Sequence, residues 1–190
     1  MNVKDAIIKR RSVRSFTDRP VPYSDIKSVL EAAIFAPSAG NAQPWCFVVV
    51  DEPALVEKAC KLNPYGDWGK NALSGIVVCG DLHQERYEGF WAQDCAAVTQ
   101  NILLMIHEKG LGATWTGVYP VKSRVEGFRK LFLIPENVVP FSFVLLGFPN
   151  RRMEDKQRSL EDKLHINAWK SNSEDYLASF ARRTRPLGRR

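Results

Sequence analysis

The apolar positions of the chain fall into short uninterrupted runs that are separated by stretches with helical spacing. The runs are rich in valine, leucine and aromatic residues, which is typical of strands buried inside a sheet. They predict four strands, at residues 45–50, 76–79, 113–118 and 141–146.

Apolar residues at intervals of three and four predict helices in the segments around these strands. The predicted helices cover residues 3–10, 24–36, 53–62, 87–109 and 123–131, with one or two further helical turns at 160–166. Because helices alternate with apolar strands, the pattern predicts an α/β or α+β domain with one central sheet.

Several helix ends carry sequence signals of their own. Ser24 is predicted to be an N-cap, and Pro53 to lie in the first turn of its helix. Ser123 with Glu126 three residues later predicts a capping box. Gly110 is expected to cap the C-terminal end of the helix at residues 87–109.

The long helix at residues 87–109 is unusual because it is apolar on more than one side. A helix of this kind belongs in a core or in an interface between subunits. We therefore expect a homodimer. The apolar residues concerned are Ala96, Ala97, Ile102, Leu103, Met105 and Ile106.

Composition narrows the class of protein. A chain of 190 residues suits one domain, and it can bury a substantial core without disulfides or metals. The four cysteines form no close pair and have no histidine at ligand spacing, so we expect free thiols and no metal site. No signal peptide and no apolar run of about 20 residues are visible, so we expect a cytoplasmic protein without membrane segments.

The formal net charge of +6 is concentrated near the C-terminus. Residues 1–150 carry 16 basic and 15 acidic side chains, whereas residues 151–190 carry 11 and 6. The last ten residues include five arginines and no acidic residue. We interpret them as a solvated tail, and keep a nucleic-acid-binding module acting through this tail as an alternative.

The familiar signatures of catalysis by side chains are missing from the sequence. No Gly-x-Gly-x-x-Gly follows a strand, and neither a phosphate-binding loop ending in Gly-Lys-Ser/Thr nor a Gly-x-Ser-x-Gly elbow occurs. The three histidines lie far apart. If the protein is an enzyme, we expect a cofactor to supply the reactivity and no side chain to act as the catalytic group.

Four segments carry chemistry that suits a phosphorylated, flat cofactor. The sequence Arg-Arg-Ser-Val-Arg at residues 10–14, called the arginine segment below, offers guanidinium groups that bind phosphate in pairs of hydrogen bonds. The loop at residues 36–45, called the proline loop, has small residues that permit close approach and amides that match the edge of a pyrimidine-like ring. Gly117 lies where a strand ends, and Lys156 and Arg158 follow the last strand. Taken singly, each also reads as surface charge, an ordinary connection or a turn.

In this order, the four segments resemble the nitroreductase family of FMN enzymes. The residues 94–101, which precede Gly110-Leu111-Gly112, and the sequence Gly147-Phe148-Pro149 add to the likeness. The resemblance covers residues 1–166 and leaves 167–190 as a C-terminal extension that is basic at its end. It implies an α+β sandwich, in which helices flank a central and mostly antiparallel sheet, and an intertwined homodimer.

The resemblance also implies which residues bind FMN at the dimer interface. The phosphate is expected at Arg10, Arg11, Ser12 and Arg14, helped by Lys156 and Arg158. The proline loop is expected to reach the same flavin from the partner chain, through Pro37, Ser38, Ala39, Asn41 and Gln43. The resemblance also implies that Gly117, Val118 and Tyr119 lie along the flavin ring, with a backbone N–H directed at flavin N5.

The function implied is that of an NAD(P)H-dependent FMN oxidoreductase working in two steps. A nicotinamide gives hydride to flavin N5 and leaves, and a nitroaromatic, quinone-like or other small oxidised acceptor takes its place. The alternative within the family is another reaction of reduced flavin, either dehalogenation or flavin cleavage. The segment at residues 83–90 disfavours it, being short where some relatives carry a lid over the flavin.

Overall fold

The chain divides into two units, Met1–Met153 and Glu154–Arg190. A computed structural model describes residues 1–63, 71–151, 153–154, 156–160, 163–165 and 169. In the first unit the helices are α1 (Val3–Lys9), α2 (Tyr23–Ala33), α3 (Pro53–Lys61), α4 (Trp91–Glu108) and α5 (Lys122–Phe132). The strands are β1 (Trp45–Val50), β2 (Ser74–Asp81), β3 (Gly112–Gly117) and β4 (Val138–Gly147).

The four strands form one sheet in the order β1-β2-β4-β3, and each neighbouring pair is antiparallel. Strand β1 has the predicted bounds. Strands β2 and β4 are longer than predicted, because they continue through serine, glycine and proline positions that pair within the sheet although they are not part of the apolar run. An antiparallel sheet with helices between its strands confirms the α+β class.

Helices cover both faces of the sheet, which explains why its central strands are apolar without alternation. Ile76 and Val78 face α2 and α4, together with Val144 and Leu146 of β4. The neighbouring residues Val77, Cys79, Phe143 and Leu145 face the opposite side, where they pack with α3 and α5.

The predicted N-caps of two helices are wrong. Helix α2 begins at Tyr23 with Pro22 as its N-cap, and α5 begins at Lys122 with Val121 as its N-cap. Neither helix has a side-chain capping bond. Ser24 and Ser123 each lie inside the first turn, because the backbone becomes helical before it reaches them.

Other helix ends also differ from the prediction. Helix α4 begins at Trp91 instead of residue 87, and the Trp91 N–H donates to the Glu85 carboxylate at 3.0 Å. Helix α2 ends at Ala33, before the predicted residue 36. Two signals are confirmed, since Pro53 occupies the first turn of α3 and Gly110 follows α4 with a φ of 73°.

Helix α4 packs against α2 and against the sheet along most of its length. Among the described residues, no helix combines the length and the apolar character that crossing a membrane requires. All four cysteines are free. The buried residues of α4 are Trp91, Asp94, Cys95, Val98, Thr99, Ile102, Leu103 and Ile106.

In the second unit, the described residues include one turn in which the Lys163 N–H donates to the Leu160 carbonyl at 2.9 Å. The rings of His165 and Trp169 stack at 4.2 Å between centroids. Residues 161, 162 and 166 of the helical turns expected at 160–166 lie outside the described part. The same applies to residues 167–168 and 170–190 of the expected C-terminal extension.

Candidate functional site

The arginine segment is attached to the outer edge of strand β3. Ser12 forms a parallel β-bridge with Ala113, and the Val13 N–H donates to the Ala113 carbonyl at 2.9 Å. Val13 is buried against Gly112, where a Cβ atom would come within 2.7 Å of the valine Cγ2. The segment is therefore part of the folded edge of the sheet and not a loose run of surface charge.

Three polar residues of this segment have different surroundings. Because Val13 points inward from extended backbone, Ser12 and Arg14 point outward; Ser12 is half-buried and Arg14 is exposed. Arg11 turns back, and its Nη1 donates to the carbonyls of Ile8 at 2.5 Å and Arg10 at 2.9 Å. Its guanidinium therefore also satisfies carbonyls at the C-terminal end of α1.

His107 on α4 reports the electrostatic potential near the arginine segment. Burial lowers the pKa of His107, and the positive charges of Arg10 and Arg11 lower it further, with a smaller effect from Lys9. The buried Nε2 of His107 has no hydrogen-bond partner among the described residues. Arg10 and Arg11 therefore bring positive charge close to His107, and positive is the sign of charge that an anion-binding site needs.

The backbone of β3 turns the N–H of Gly117 toward the same outer edge. The Val118 and Tyr119 N–H groups both donate to the Phe141 carbonyl, at 3.1 and 3.0 Å. Hydrogen-bonded and non-hydrogen-bonded pairs alternate in an antiparallel ladder, so Gly117, opposite Ser142, directs its N–H and C=O away from β4. Its carbonyl accepts from Arg124 Nη1 at 2.9 Å on that side.

Gly117 and the arginine segment thus share one edge of the sheet. Ala113, which binds the segment, precedes Gly117 by four residues, or about 13 Å along a strand. A Cβ atom at Gly117 would meet no other atom within 4 Å. The edge between the two positions is open at its Gly117 end.

The two residues after Gly117 differ in what they expose. Val118 is only 1% exposed, and its carbonyl accepts from the Val121 N–H at 3.1 Å. Tyr119 is 41% exposed and packs edge-on against Trp91, with ring centroids 4.7 Å apart. The structure therefore presents Gly117 and Tyr119 at the surface and places Val118 in the core beneath them.

The proline loop has a backbone that few residues adopt. Gly40, Asn41 and Gln43 have φ values of 59°, 56° and 49°. These values lie in the left-handed region, which residues other than glycine rarely adopt. Ser38 Oγ accepts from the Gln43 N–H at 3.0 Å, and Gln43 Nε2 donates to Asn41 Oδ1 at 2.9 Å. Pro37, Asn41 and Gln43 are exposed, and Ser38 and Ala39 are half-buried.

Two residues outside the predicted cofactor-binding set bind this loop. Asp94, on the first turn of α4, accepts from the Ala39 N–H at 2.9 Å, and Arg86 Nη1 donates to the Gly40 carbonyl at 2.6 Å. An acidic residue near the start of a largely apolar helix was the available clue for Asp94. The sequence carries no clue for Arg86, because its contact crosses 46 positions.

The remaining candidates belong to other segments of the sequence. Lys156 and Arg158 are exposed residues of the second unit. Of the loop at residues 63–71, where the sequence shows no family motif, Asn63 is buried and Asn71 is exposed. Residues 64–70 are outside the described part of the chain.

A central antiparallel sheet with helices on both faces, and with a basic segment docked at its edge, defines an α+β sandwich of the nitroreductase type. The family model described as "Nitroreductase family" matches residues 7–74 and 65–148. The chain belongs to the nitroreductase family.

Individual relatives are similar over most of the chain. A protein of Methanothermobacter thermautotrophicus, provisionally named NADH dehydrogenase/NAD(P)H nitroreductase, is 46% identical over 89% of this chain and 88% of its own length. The iodotyrosine deiodinase of Haliscomenobacter hydrossis is 30% identical over 74% of this chain and 76% of its own. A nitroreductase-type structure from Desulfovibrio desulfuricans in complex with FMN has a TM-score of 0.76 and 27% identity, covering 90% of this chain and 99% of the other.

Proposed function

We propose that this protein is an FMN-dependent oxidoreductase that takes electrons from NAD(P)H and passes them to nitroaromatic, quinone-like or other small oxidised acceptors. The observation that carries the proposal is the shared sheet edge, with the arginine segment at Ala113 and an outward-directed glycine N–H at Gly117. When bound, FMN would accept hydride from the nicotinamide and deliver it to the acceptor in a second step.

The arginine segment suits the phosphate end of FMN. Arg10, Ser12 and Arg14 supply guanidinium and hydroxyl donors from a segment that is fixed to the sheet. Arg11 adds positive charge while its Nη1 stays on the carbonyls of α1. Arg10 and Arg11 place positive charge near His107, which lowers its pKa further than burial alone, and a phosphate bound here would offset that charge. Lys156 and Arg158 are proposed to add to this phosphate site.

The end of β3 suits the ring of the cofactor. A flat ring can approach Gly117 closely because no Cβ atom stands in its way, and the outward N–H is placed to donate to flavin N5. Such a donor stabilises negative charge that develops on the reduced ring. We propose that Tyr119 lines the ring and that Val118 supports both neighbours from the core.

The proline loop is proposed to complete the site from the partner chain of a homodimer. Ser38, Asn41 and Gln43 then offer a hydroxyl and two amides to the flavin, while Pro37 and Ala39 shape the approach. Exposed apolar side chains support an interface in the first unit, since such side chains gain most from being covered. They include Val3, Ile7 and Ile8 of α1 and Phe35 after α2.

The location and the donor follow from the same proposal. Four free cysteines are consistent with a reducing compartment, and we propose the cytoplasm. NADH and NADPH are both named as donors, because the relative from Methanothermobacter thermautotrophicus carries both in its name. No side chain of the proposed site has to act as an acid or a base.

A second candidate, reductive dehalogenation, is favoured by the likeness to iodotyrosine deiodinase. The higher identity to the relative with a nitroreductase name supports the first candidate instead. Nucleic-acid binding has less support, because the excess of arginine lies in the last ten residues.

The test is an absorbance spectrum of the purified protein, recorded without oxygen before and after each nicotinamide is added. We expect a flavin spectrum that bleaches with NADH or NADPH and returns when a nitroaromatic or a quinone is added. A colourless protein that does not take up FMN would refute the proposal. Reoxidation by iodotyrosine with release of iodide, and not by a nitroaromatic or quinone, would assign the dehalogenase reaction.

A further inference from the structure

The proline loop holds three of the four residues from Gly40 to Gln43 in the left-handed region. Asparagine tolerates this conformation better than most residues, and glutamine has no such preference. Backbone of this kind persists only where surrounding contacts determine it. The contacts that hold this loop are therefore part of whatever the loop does.

The first contact comes from a buried acid on α4. Asp94 is only 6% exposed, and its Oδ1 accepts from the Ala39 N–H at 2.9 Å. A carboxylate in such a place needs hydrogen-bond donors to offset its lost hydration. A hydrogen bond from a backbone N–H to a carboxylate is stronger than one between neutral groups. It ties the start of the loop to the start of α4.

The second contact covers the loop from the solvent side. Arg86 Nη1 donates to the Gly40 carbonyl at 2.6 Å. A Cβ atom on Gly40 would come within 2.5 Å of Arg86 Cδ, so the arginine side chain lies directly on this glycine. The N–H of Ala39 and the C=O of Gly40 are thus both held, the first by a carboxylate and the second by a guanidinium.

The bonds inside the loop decide which polar groups remain for a ligand. Ser38 Oγ already accepts from the Gln43 N–H, so the hydroxyl keeps its hydrogen to donate. Asn41 Oδ1 already accepts from Gln43, which leaves the Asn41 amide hydrogens as donors and Gln43 Oε1 as an acceptor. Two donors and one acceptor are offered only while the loop keeps this shape.

We propose that Asp94 is a positioning residue for the cofactor, with Arg86 as a weaker second one. Asp94 acts through its bond to Ala39, which holds the proline loop in the conformation that presents Ser38, Asn41 and Gln43. The inference rests on the proposed function, because FMN is the ligand assigned to the loop. Asp94 itself touches neither the ring nor a substrate in this scheme.

The test uses three variants of the whole protein, titrated with FMN after the flavin has been removed. Asp94→Ala loses the acceptor, and we expect affinity for FMN to fall roughly tenfold. Asp94→Asn keeps an oxygen acceptor, and we expect it to stay within about threefold of wild type. Arg86→Met should cost about threefold, since its contact is exposed to solvent.

Asp25→Ala is the matched control. Asp25 is a half-buried acid on α2 whose Oδ1 binds Lys109 Nζ, next to the far end of α4, at 3.0 Å. Loss of the Asp25 carboxylate perturbs the packing of α2 against α4 without touching the proline loop. We expect its FMN affinity to match wild type, even if the protein melts at a lower temperature.

A second measurement does not depend on FMN at all. Hydrogen exchange of the Ala39 and Asn41 amides in the flavin-free protein should be faster in Asp94→Ala than in wild type, Asp94→Asn or Asp25→Ala. Unchanged exchange and unchanged affinity in Asp94→Ala would overturn the inference, as would an equal loss of affinity in Asp25→Ala. If wild type itself binds no FMN, the proposed function fails while the exchange data still decide whether Asp94 holds the loop.

Discussion

The Val13 N–H donates to the Ala113 carbonyl at 2.9 Å, and this bond fixes the arginine segment to the edge of β3. Through it, the position of Arg14 is set relative to Gly117, which lies further along the same strand. A cofactor with a phosphate at one end and a flat ring at the other needs two such places at a constant separation. The bond therefore links the two halves of the proposed site.

Replacing Arg14 should separate binding from folding. Arg14→Ala removes a charge-assisted donor, and a contact of this kind contributes about 1.5–3 kcal/mol, so FMN affinity should fall about ten- to a hundredfold. The exposed side chain should cost less than about 0.5 kcal/mol of unfolding free energy. Ser12→Ala should weaken FMN binding less, because a neutral hydroxyl is a weaker donor. The measurement is quenching of FMN fluorescence on titration with each flavin-free variant.

Removal of the arginine-rich tail is the control for that experiment. A chain shortened after Ala181 loses five arginines and should keep its FMN affinity nearly unchanged. Loss of affinity in the shortened chain, together with normal affinity in Arg14→Ala, would show that the phosphate site is assigned to the wrong basic cluster.

Two glycines of β3 should respond in opposite ways to alanine. Gly117→Ala has room for its methyl group, so stability should change by less than about 0.5 kcal/mol, while the methyl lies where the ring is proposed and should weaken FMN binding about tenfold. Gly112→Ala brings a Cβ within 2.7 Å of Val13 and should destabilise the fold by about 1–3 kcal/mol. Urea unfolding and FMN titration of both variants give the comparison. Normal FMN affinity in Gly117→Ala would place the ring elsewhere.

The proposed homodimer leads to a prediction about mixed subunits. One chain carries Arg14→Ala, and the other carries Ser38→Ala with Asn41→Ala. If each site combines the arginine segment of one chain with the proline loop of its partner, the mixed dimer has one site without any substitution. Half of the sites should then bind FMN with wild-type affinity, as measured by titration of a doubly tagged and purified mixed dimer. Weak binding at every site would show that both segments come from one chain, and light scattering that finds a monomer loaded with FMN would refute the dimer.

The pH dependence of stability should carry a contribution from His107. Its pKa is lowered in the folded protein by burial, Arg10 and Arg11, so the unfolded chain binds the proton more readily. This contribution is present above the ordinary histidine pKa of about 6.5 and is lost as the pH falls through and below it. Urea unfolding across this range should show a smaller dependence in His107→Gln than in wild type.

FMN should raise the pKa of the same histidine. A bound phosphate offsets the positive charges of Arg10 and Arg11, which disfavour the protonated ring. NMR titration of the flavin-free and flavin-loaded protein measures this directly, with His107→Gln identifying the resonance. A midpoint that stays the same or moves to lower pH on loading would separate the phosphate from this cluster.

Local pattern was sufficient to predict much of the fold. Strand β1 has the predicted bounds because Pro44 and Asp51 interrupt the apolar run on either side. The N-caps could not be predicted in the same way. Ser24 and Ser123 are residue types that cap helices well, but each helix begins one residue before its serine. A capping preference of about 1 kcal/mol is smaller than the packing that sets where these helices lie.

The candidate site was predictable in its segments but not in its connections. The arginines and the small loop residues can be recognised from the local sequence. The bond between Ala39 and Asp94 cannot, because it joins positions that are 55 residues apart. The direction of the Gly117 N–H depends on the register of β3 against β4, and the residue type at position 117 does not reveal that register. Long-range contacts of this kind arise from tertiary packing.

The docking of Ser12 and Val13 also bears on self-association through the sheet. An edge strand with unpaired backbone groups is a template on which another chain can add a strand and begin to aggregate. At Ala113 the arginine segment already occupies that position on β3, and at Gly117 the Arg124 side chain takes the outward carbonyl. Substitutions that detach Val13 should therefore cause precipitation as well as loss of cofactor binding, because the same stretch of backbone covers the sheet edge and carries the proposed phosphate site.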